Sequence, residues 1–395
     1  MTRSKLRFFF KNVSTRQIIL KNTFWVLSTE VASRLFKFIL IPYSARVLGP
    51  EQFGMFYYYL SLAGLFYLLS DLGISTYFIR EYQKNPTHSD TLTVTMLLLK
   101  WGLIFICFLM SLSSLISQLN SPHFFAYIVC LLILFTDYIK KSLNTLLNAQ
   151  KKNEVYAIFN IFRNSLVTLI GILLLKLSGT LLFFFTAYLI AHLIDALLYI
   201  AYFKNKIPSF SKFNTALIKP IIRHSFPFMM TALIGSVLVM SDTLMIKWVL
   251  NAKQVAYYQS ALRIYLVICI LQISIINVIY PLLCQYNTVK ERVASMIKSG
   301  ISMTNLIYFP IAIGGILLSN NIIQTLYGDT YIQSIPVLII LMGCLLVNGT
   351  SSMINSALIS CHFEIKNMSI SAIAMVINII LNLMFIFKFG IIGIA

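Results

Sequence analysis

Acidic residues, and charges of either sign, are scarce in this chain of 395 residues. It contains 12 Asp and Glu against 31 Lys and Arg, and only 11% of its residues are charged, whereas 58% are hydrophobic. A soluble protein of this length needs many more polar residues to cover its surface. The composition therefore excludes a soluble globular protein and predicts an all-α polytopic membrane protein.

Cysteine and histidine are also few, at six and five residues. No two cysteines have the CxxC spacing, and no histidines form an HExxH or similar pair. Most of the cysteines lie in or at the ends of apolar runs, which favours packed thiols over metal ligands or disulfides. The sequence has no Walker loop, catalytic triad or paired catalytic carboxylates. We therefore predict no metal, no cofactor and no enzymatic activity.

Apolar segments long enough to cross a bilayer, which takes about 20 residues, follow one another along the whole chain. We predict eleven spans, at residues 22–43, 55–79, 92–115, 124–144, 155–176, 181–203, 226–247, 259–280, 301–318, 335–357 and 369–387. None of the connections between them is long enough to form a separate soluble domain.

The basic residues are distributed unequally between the two ends of these spans. Counted together with the adjoining span ends, the loops on the side of the N-terminal tail hold 21 Lys and Arg and those on the other side hold five; the remaining five lie deeper within spans. By the positive-inside rule, the N-terminus is cytoplasmic. The net charge of +19 thus belongs to cytoplasmic loops, where it attracts anionic lipid headgroups, and does not indicate a nucleic-acid partner.

The longest connection divides six spans from five and predicts two lobes. The predicted parts are a basic tail at 1–21, an N-lobe at 22–203, a basic linker at 204–225 and a C-lobe at 226–395. The run Val47 to Gly54 aligns with Val249 to Ala256, and each run follows the first helix of its lobe. A parallel duplication explains this better than chance does. It predicts six helices per lobe around a central cavity, so we expect a twelfth helix beyond a truncated or atypically short C-lobe.

Charges on the first span are the strongest functional signal. Glu30, Arg34 and Lys37 are four and three residues apart, so they share one face of a helix, opposite apolar residues such as Leu35. A charge at mid-bilayer costs roughly 3 kcal/mol, which predicts that this face lines a hydrated cavity. Because one acid cannot neutralise two bases, the face favours an anion site. The alternative is a local ion pair with a structural role.

Other basic residues within spans are Arg263, Lys100 and Arg163. Arg263 is predicted either to line the cavity or to extend its side chain to the outer interface. Lys100 and Arg163 lie about two turns from the cytoplasmic side, where they would add to a basic vestibule.

Acidic residues within spans include Asp242, Asp71 and Asp195. Asp242 is a candidate to pair with Arg34 or Arg263, or to hold a coupling ion. Asp71 and Asp195 are predicted to be hydrogen-bonded structural groups, although one such group could titrate and serve ion coupling.

Two motifs carry a family resemblance. The runs Leu48-Gly49-Pro50-Glu51-Gln52-Phe53-Gly54 and Asp71-Leu72-Gly73-Ile74 resemble the opening of Wzx-type O-antigen flippases, polysaccharide transporters of the MATE-like MOP superfamily. Supporting similarities occur at residues 256–263 and 326–331, so the likeness extends over nearly the whole chain.

The resemblance implies two six-helix lobes around a cationic cavity. It also implies alternating access that moves an undecaprenyl-diphosphate-linked oligosaccharide, an O-antigen or capsule repeat unit, from the inner to the outer leaflet of the bacterial cytoplasmic membrane. Basic residues of the first and eighth helices line the cavity in relatives, at positions that match Arg34, Lys37 and Arg263. Other polysaccharide-assembly proteins would be partners.

Two alternative functions stay open. A MATE-like antiporter of small organic cations would need a cavity dominated by carboxylates, which the first span does not offer. A membrane polysaccharide polymerase would typically carry a large outer loop with catalytic arginines, whereas the outer loops here are short.

Overall fold

The computed structural model describes residues 15–84, 89–286, 289–361 and 363–395. These residues form helices and short connections without a β-strand. The helices are α1 (Thr15–Phe66), α2 (Ile74–Lys84), α3 (Ser89–Ser113), α4 (Phe124–Ala149), α5 (Asn153–Ser178), α6 (Leu181–Phe203), α7 (Ile218–Val249), α8 (Ala252–Ile268), α9 (Ile270–Gln285), α10 (Lys290–Leu317), α11 (Ser319–Tyr327), α12 (Ile335–Ser360) and α13 (Glu364–Phe389). Residues 1–14, most of the predicted basic tail, lie outside the described residues.

Long apolar helices dominate because lipid offers no hydrogen-bond partner to the backbone, and a helix satisfies its own peptide groups. In the described part, eight helices are long and apolar enough to cross a membrane, or nine if the bent pair Phe24–Ser70 and Ile74–Tyr82 is one span. The all-α polytopic fold is confirmed. Judged by length and composition, however, the described helices give fewer spans than the eleven predicted. One reason is α4, whose Asp137, Lys140 and Lys141 fall inside its apolar stretch.

The opening helical segment is interrupted at Gly49 and again at Leu72–Gly73, and glycine and proline are residues that favour such breaks. Within α1, Gly49 alone is non-helical, with a φ of 70°, and Pro50 suits the first turn of the helix that resumes there. Leu72 and Gly73 have φ values of 45° and 71° and separate two segments bent by 44°. A Cβ on Gly73 would lie 2.6 Å from the Ser225 carbonyl oxygen, so glycine is required there for both its conformation and its size.

The described residues form two compact units. Unit 1 comprises the residues up to Leu48 together with Tyr59–Leu233. Its core joins α2, α3, α4, α6 and α7. The fully buried members include Ile74, Met96, Leu97, Leu147 and Ile221.

Unit 2 comprises Gly49–Tyr58 and Ile234–Ala395. Its core packs α9 and α10 against α12, with Leu283 and Met353 completely buried. Gly300 of α10 lies so close to α12 that a Cβ would come within 2.4 Å of Met353 Cε. Such small residues allow membrane helices to approach closely where apolar burial alone does not drive association. The lobe boundaries at 203 and 226 stay a prediction.

Candidate functional site

Charged side chains in unit 1 come from helices whose sequences are otherwise apolar. On α4, Asp137, Lys140 and Lys141 are three and four residues apart and therefore share one face. On α6, His192 and Asp195 share a face by the same spacing. Packing of α4 and α6 brings these two faces together.

These residues and Arg163 of α5 form what we term the α4–α6 charge cluster. Its members are Asp137, Lys140, Lys141, Arg163, His192 and Asp195. Lys140 Nζ donates to Asp195 Oδ2 at 2.8 Å and lies 3.2 Å from His192 Nδ1. The Arg163 guanidinium lies 3.5 Å from Asp137 and 3.8 Å from Asp195. The carboxylates therefore neutralise most, but not all, of the positive charge.

A second group of polar residues surrounds Lys100. Its Nζ lies 2.5 Å from both Asp71 Oδ1 and Ser75 Oγ, and Ser75 also contacts the Thr145 hydroxyl at 3.0 Å. The Lys100 side chain is 4% exposed and that of Asp71 is 39% exposed. The buried ammonium is thus balanced by a carboxylate that solvent can reach.

A cavity of about 310 Å³ lies beside the Lys100 group, entirely within unit 1. The residues that line it are mostly polar. They are Ser70, Asp71, Ser75, Lys100, Ile104, Tyr138, Lys141, Asn144, Thr145, Asn148 and Tyr156. Lys141 belongs to both the cavity and the α4–α6 charge cluster.

The predicted charged face of α1 makes a local ion pair. Arg34 Nε and Nη2 each lie 3.3 Å from Glu30 Oε2, and their side chains are 27% and 54% exposed. Lys37, one turn further, is also exposed, as is Leu35 on the opposite side. An ion pair this exposed contributes about 0–1 kcal/mol in water, so an incoming anion could compete for Arg34 at little cost.

Arg263 of α8 is held by two neighbours in unit 2. Its Nη2 donates to Gln259 Oε1 at 2.9 Å, and its guanidinium carbon lies 4.4 Å from the centre of the Tyr57 ring. The second of these is a cation–π contact. The described contacts of Arg263 include no carboxylate.

Asp242 of α7 receives two hydrogen bonds from neutral groups. Tyr258 Oη donates to one carboxylate oxygen at 2.8 Å, and Asn382 Nδ2 donates to the other at 2.9 Å. The structure does not pair Asp242 with Arg263 among the described residues of unit 2. The two described partners of Asp242 are therefore both uncharged.

The residues that sequence reasoning did not single out include Lys140, Lys141, Tyr258 and Asn382. The count of basic residues placed Lys140 and Lys141 with the cytoplasmic loop, at the end of the predicted span 124–144. Because α4 continues to Ala149, both lie within the helix. Their spacing from Asp137 was a usable signal, whereas no sequence pattern connects Asn382 to Asp242.

Comparisons with known proteins agree with this architecture. The family described as "Polysaccharide biosynthesis protein" matches residues 19–287. The "Probable low-salt glycan biosynthesis flippase Agl15" of Haloferax volcanii is 23% identical over 371 residues, which cover 91% of this chain and 76% of the relative. The "Putative O-antigen transporter" of Shigella flexneri is 23% identical over 338 residues, covering 82% and 80%.

The solved structure of the lipid II flippase MurJ, in an inward closed conformation, matches with a TM-score of 0.76 at 16% identity. The match covers 94% of this chain and 83% of that chain. At this identity the similarity shows the fold.

Proposed function

We propose that this chain, which belongs to the polysaccharide biosynthesis protein family, is a flippase for a lipid-linked glycan. The substrate would be an undecaprenyl-diphosphate-linked oligosaccharide, an O-antigen or capsule repeat unit. It would move from the inner to the outer leaflet of the bacterial cytoplasmic membrane by alternating access. The N-terminus would be cytoplasmic, and other polysaccharide-assembly proteins would supply or receive the substrate.

The observation that carries this proposal is the exposed, net basic face of α1. A lipid diphosphate is anionic, and charge-assisted bonds to Arg and Lys are the strongest that a protein can offer it. Arg34 presents a planar fork suited to phosphate oxygens, and Lys37 adds a second charge one turn away. When the headgroup binds, Arg34 exchanges its weak bond to Glu30 for bonds to the diphosphate.

Three further basic residues assist in this scheme. Arg263 contributes a charge that no carboxylate offsets among its described contacts. Lys100 and Arg163 each contact carboxylates, and their contribution is to the net positive charge of a group of residues in unit 1. There, Lys100, Lys140, Lys141 and Arg163 outnumber Asp71, Asp137 and Asp195 by one positive charge.

We assign the coupling of transport to an ion gradient to acidic residues within the spans. Asp242 is the first candidate because its described partners are uncharged, and a carboxylate within a membrane span needs a proton or a cation to offset its charge. Asp71 and Asp195 already contact lysines, so we assign them a smaller part.

The relatives named above are a flippase and a transporter, which agrees with the prediction that the chain is not an enzyme. A MATE-like exporter of organic cations is the alternative of similar fold. Its substrate would be repelled by the net basic face of α1. A polymerase would leave lipid-linked repeat units on the outer leaflet in a deletion strain, whereas loss of a flippase leaves them on the inner leaflet.

Replacing Arg34 tests the proposal in cells. Arg34→Ala should abolish surface polysaccharide at normal protein levels, and the neighbouring Leu35→Ala, an exposed apolar position, should not. Wild-type polysaccharide output from the Arg34→Ala strain would reject the role of Arg34. Inner-leaflet accumulation of lipid-linked glycan should accompany the loss.

A further inference from the structure

We propose that the cavity of unit 1 is a binding subsite for one uncharged sugar ring of the transported glycan. The inference rests on the proposed function and assigns part of the substrate to a place in the chain distinct from the α1 face. The cavity has a volume of about 310 Å³. That is at the low end of the range of about 300–1,000 Å³ for small-molecule sites. It suits a single ring better than a complete repeat unit.

Two side chains that line this cavity, Lys100 and Asn144, have N–H donors that their described contacts do not use. The ammonium of Lys100 has three donors, and its described contacts are Asp71 and Ser75. Asn144 accepts a hydrogen bond from Tyr199 through its Oδ1 atom, which leaves its two amide N–H groups to donate. Hydroxyl groups of a sugar can accept from these donors and donate to the half-exposed carboxylate of Asp71.

The charges around the cavity favour a neutral ligand over an anion. Each lysine that lines it already has a carboxylate partner: Lys100 lies 2.5 Å from Asp71, and Lys141 lies 3.1 Å from Asp137. An anion would have to displace one of these carboxylates, whereas a hydroxyl can bind beside them. A uronic acid or a phosphate is therefore a poorer ligand than a hexose or an N-acetylhexosamine.

The cavity lies where the substrate would first meet the protein. Asn148 is at the end of α4 that the predicted topology places on the cytoplasmic side, and Tyr156 is at the adjoining start of α5. Asn148 and Lys141 are exposed, so a ligand can reach the cavity past them. A glycan assembled on the inner leaflet could enter without crossing the membrane.

Filling the entrance tests the inference. Asn148→Phe places a bulky ring at an exposed position that tolerates it. Asn120→Phe makes the same change at an exposed position between α3 and α4, away from the cavity lining. Tyr156→Leu removes a cavity hydroxyl from a different helix and serves as a second variant if Asn148→Phe folds poorly.

Binding is measured on the purified full chain by saturation-transfer NMR. The probes are methyl glucoside and N-acetylglucosamine, with glucuronate and inorganic pyrophosphate as anionic counterparts. We expect the neutral probes to bind to the wild type and to Asn120→Phe, and to bind at least tenfold more weakly to Asn148→Phe and Tyr156→Leu. Absent binding to the wild type, unchanged binding to both cavity variants, or tighter binding of the anions at the cavity would overturn the inference.

Polysaccharide output in cells separates this inference from the proposed function. If Arg34→Ala abolishes output while Asn148→Phe binds the neutral probes normally and keeps full output, the subsite is rejected and the flippase proposal stands. If deletion of the gene leaves lipid-linked glycan evenly distributed between the leaflets, the proposed function fails whatever the NMR shows.

Discussion

Lys140 Nζ lies 2.8 Å from Asp195 Oδ2, and both side chains are almost fully buried, at 2% and 1% exposure. The pair joins α4 to α6 within unit 1. Breaking a buried ion pair from one side leaves an uncompensated charge, which costs about 3–5 kcal/mol. This bond therefore fixes how the two helices pack.

Asp195→Asn and Lys140→Met should each destabilise the protein by about 3–5 kcal/mol. The double variant should recover much of that loss because no buried charge is left unpaired at this position, although Arg163 still lies near residue 195. Thermal unfolding of detergent-solubilised protein measures the effect. A double variant no more stable than the singles would mean that the pair is not energetically coupled.

Gly73→Ala should destabilise unit 1 by about 1–3 kcal/mol, because the new Cβ meets the Ser225 carbonyl and because φ is positive. The matched change Gly102→Ala lies within α3, where a Cβ meets nothing within 4 Å. It should be neutral or stabilise by about 0.5–1 kcal/mol. The same unfolding assay compares the two variants, and equal stabilities would contradict the close approach at Gly73.

Asp242→Asn should uncouple transport from its driving gradient with little loss of folded protein. The substitution keeps a side chain of the same shape that can still accept from Tyr258, but it removes the charge that would attract a cation. The assay is transfer of a lipid-linked glycan between the leaflets of proteoliposomes under an imposed sodium or proton gradient. Asp329→Asn, at an exposed position outside this group, is the control and should retain the gradient dependence. Equal gradient dependence in Asp242→Asn would remove Asp242 from coupling.

Several features of the fold could be predicted because they depend on residues close together in the sequence. Apolar runs of span length predicted the helices, and the glycines at the breaks, Gly49 and Gly73, are local signals of the same kind. The 3.6-residue period placed Glu30, Arg34 and Lys37 on one face. Each of these depends on residues within a turn or two of one another.

The partners of the buried charges could not be predicted in this way. Asp195 is 55 residues from Lys140, and Asn382 is 140 residues from Asp242. Which faces of two helices meet depends on packing between elements, and spacing within one helix does not record it. For the same reason the sequence predicted that Lys100 adds to a basic vestibule but did not identify Asp71 as its partner.

Transfer of a fluorescent undecaprenyl-diphosphate-linked glycan between the leaflets of proteoliposomes tests the central claim most directly. A membrane-impermeant quencher reports how much label has crossed. We predict that the wild-type protein equilibrates the label between leaflets, that Leu35→Ala does the same, and that Arg34→Ala leaves it as in protein-free vesicles. If Arg34→Ala moves the label as fast as the wild type, or the wild type does not move it at all, the account is wrong.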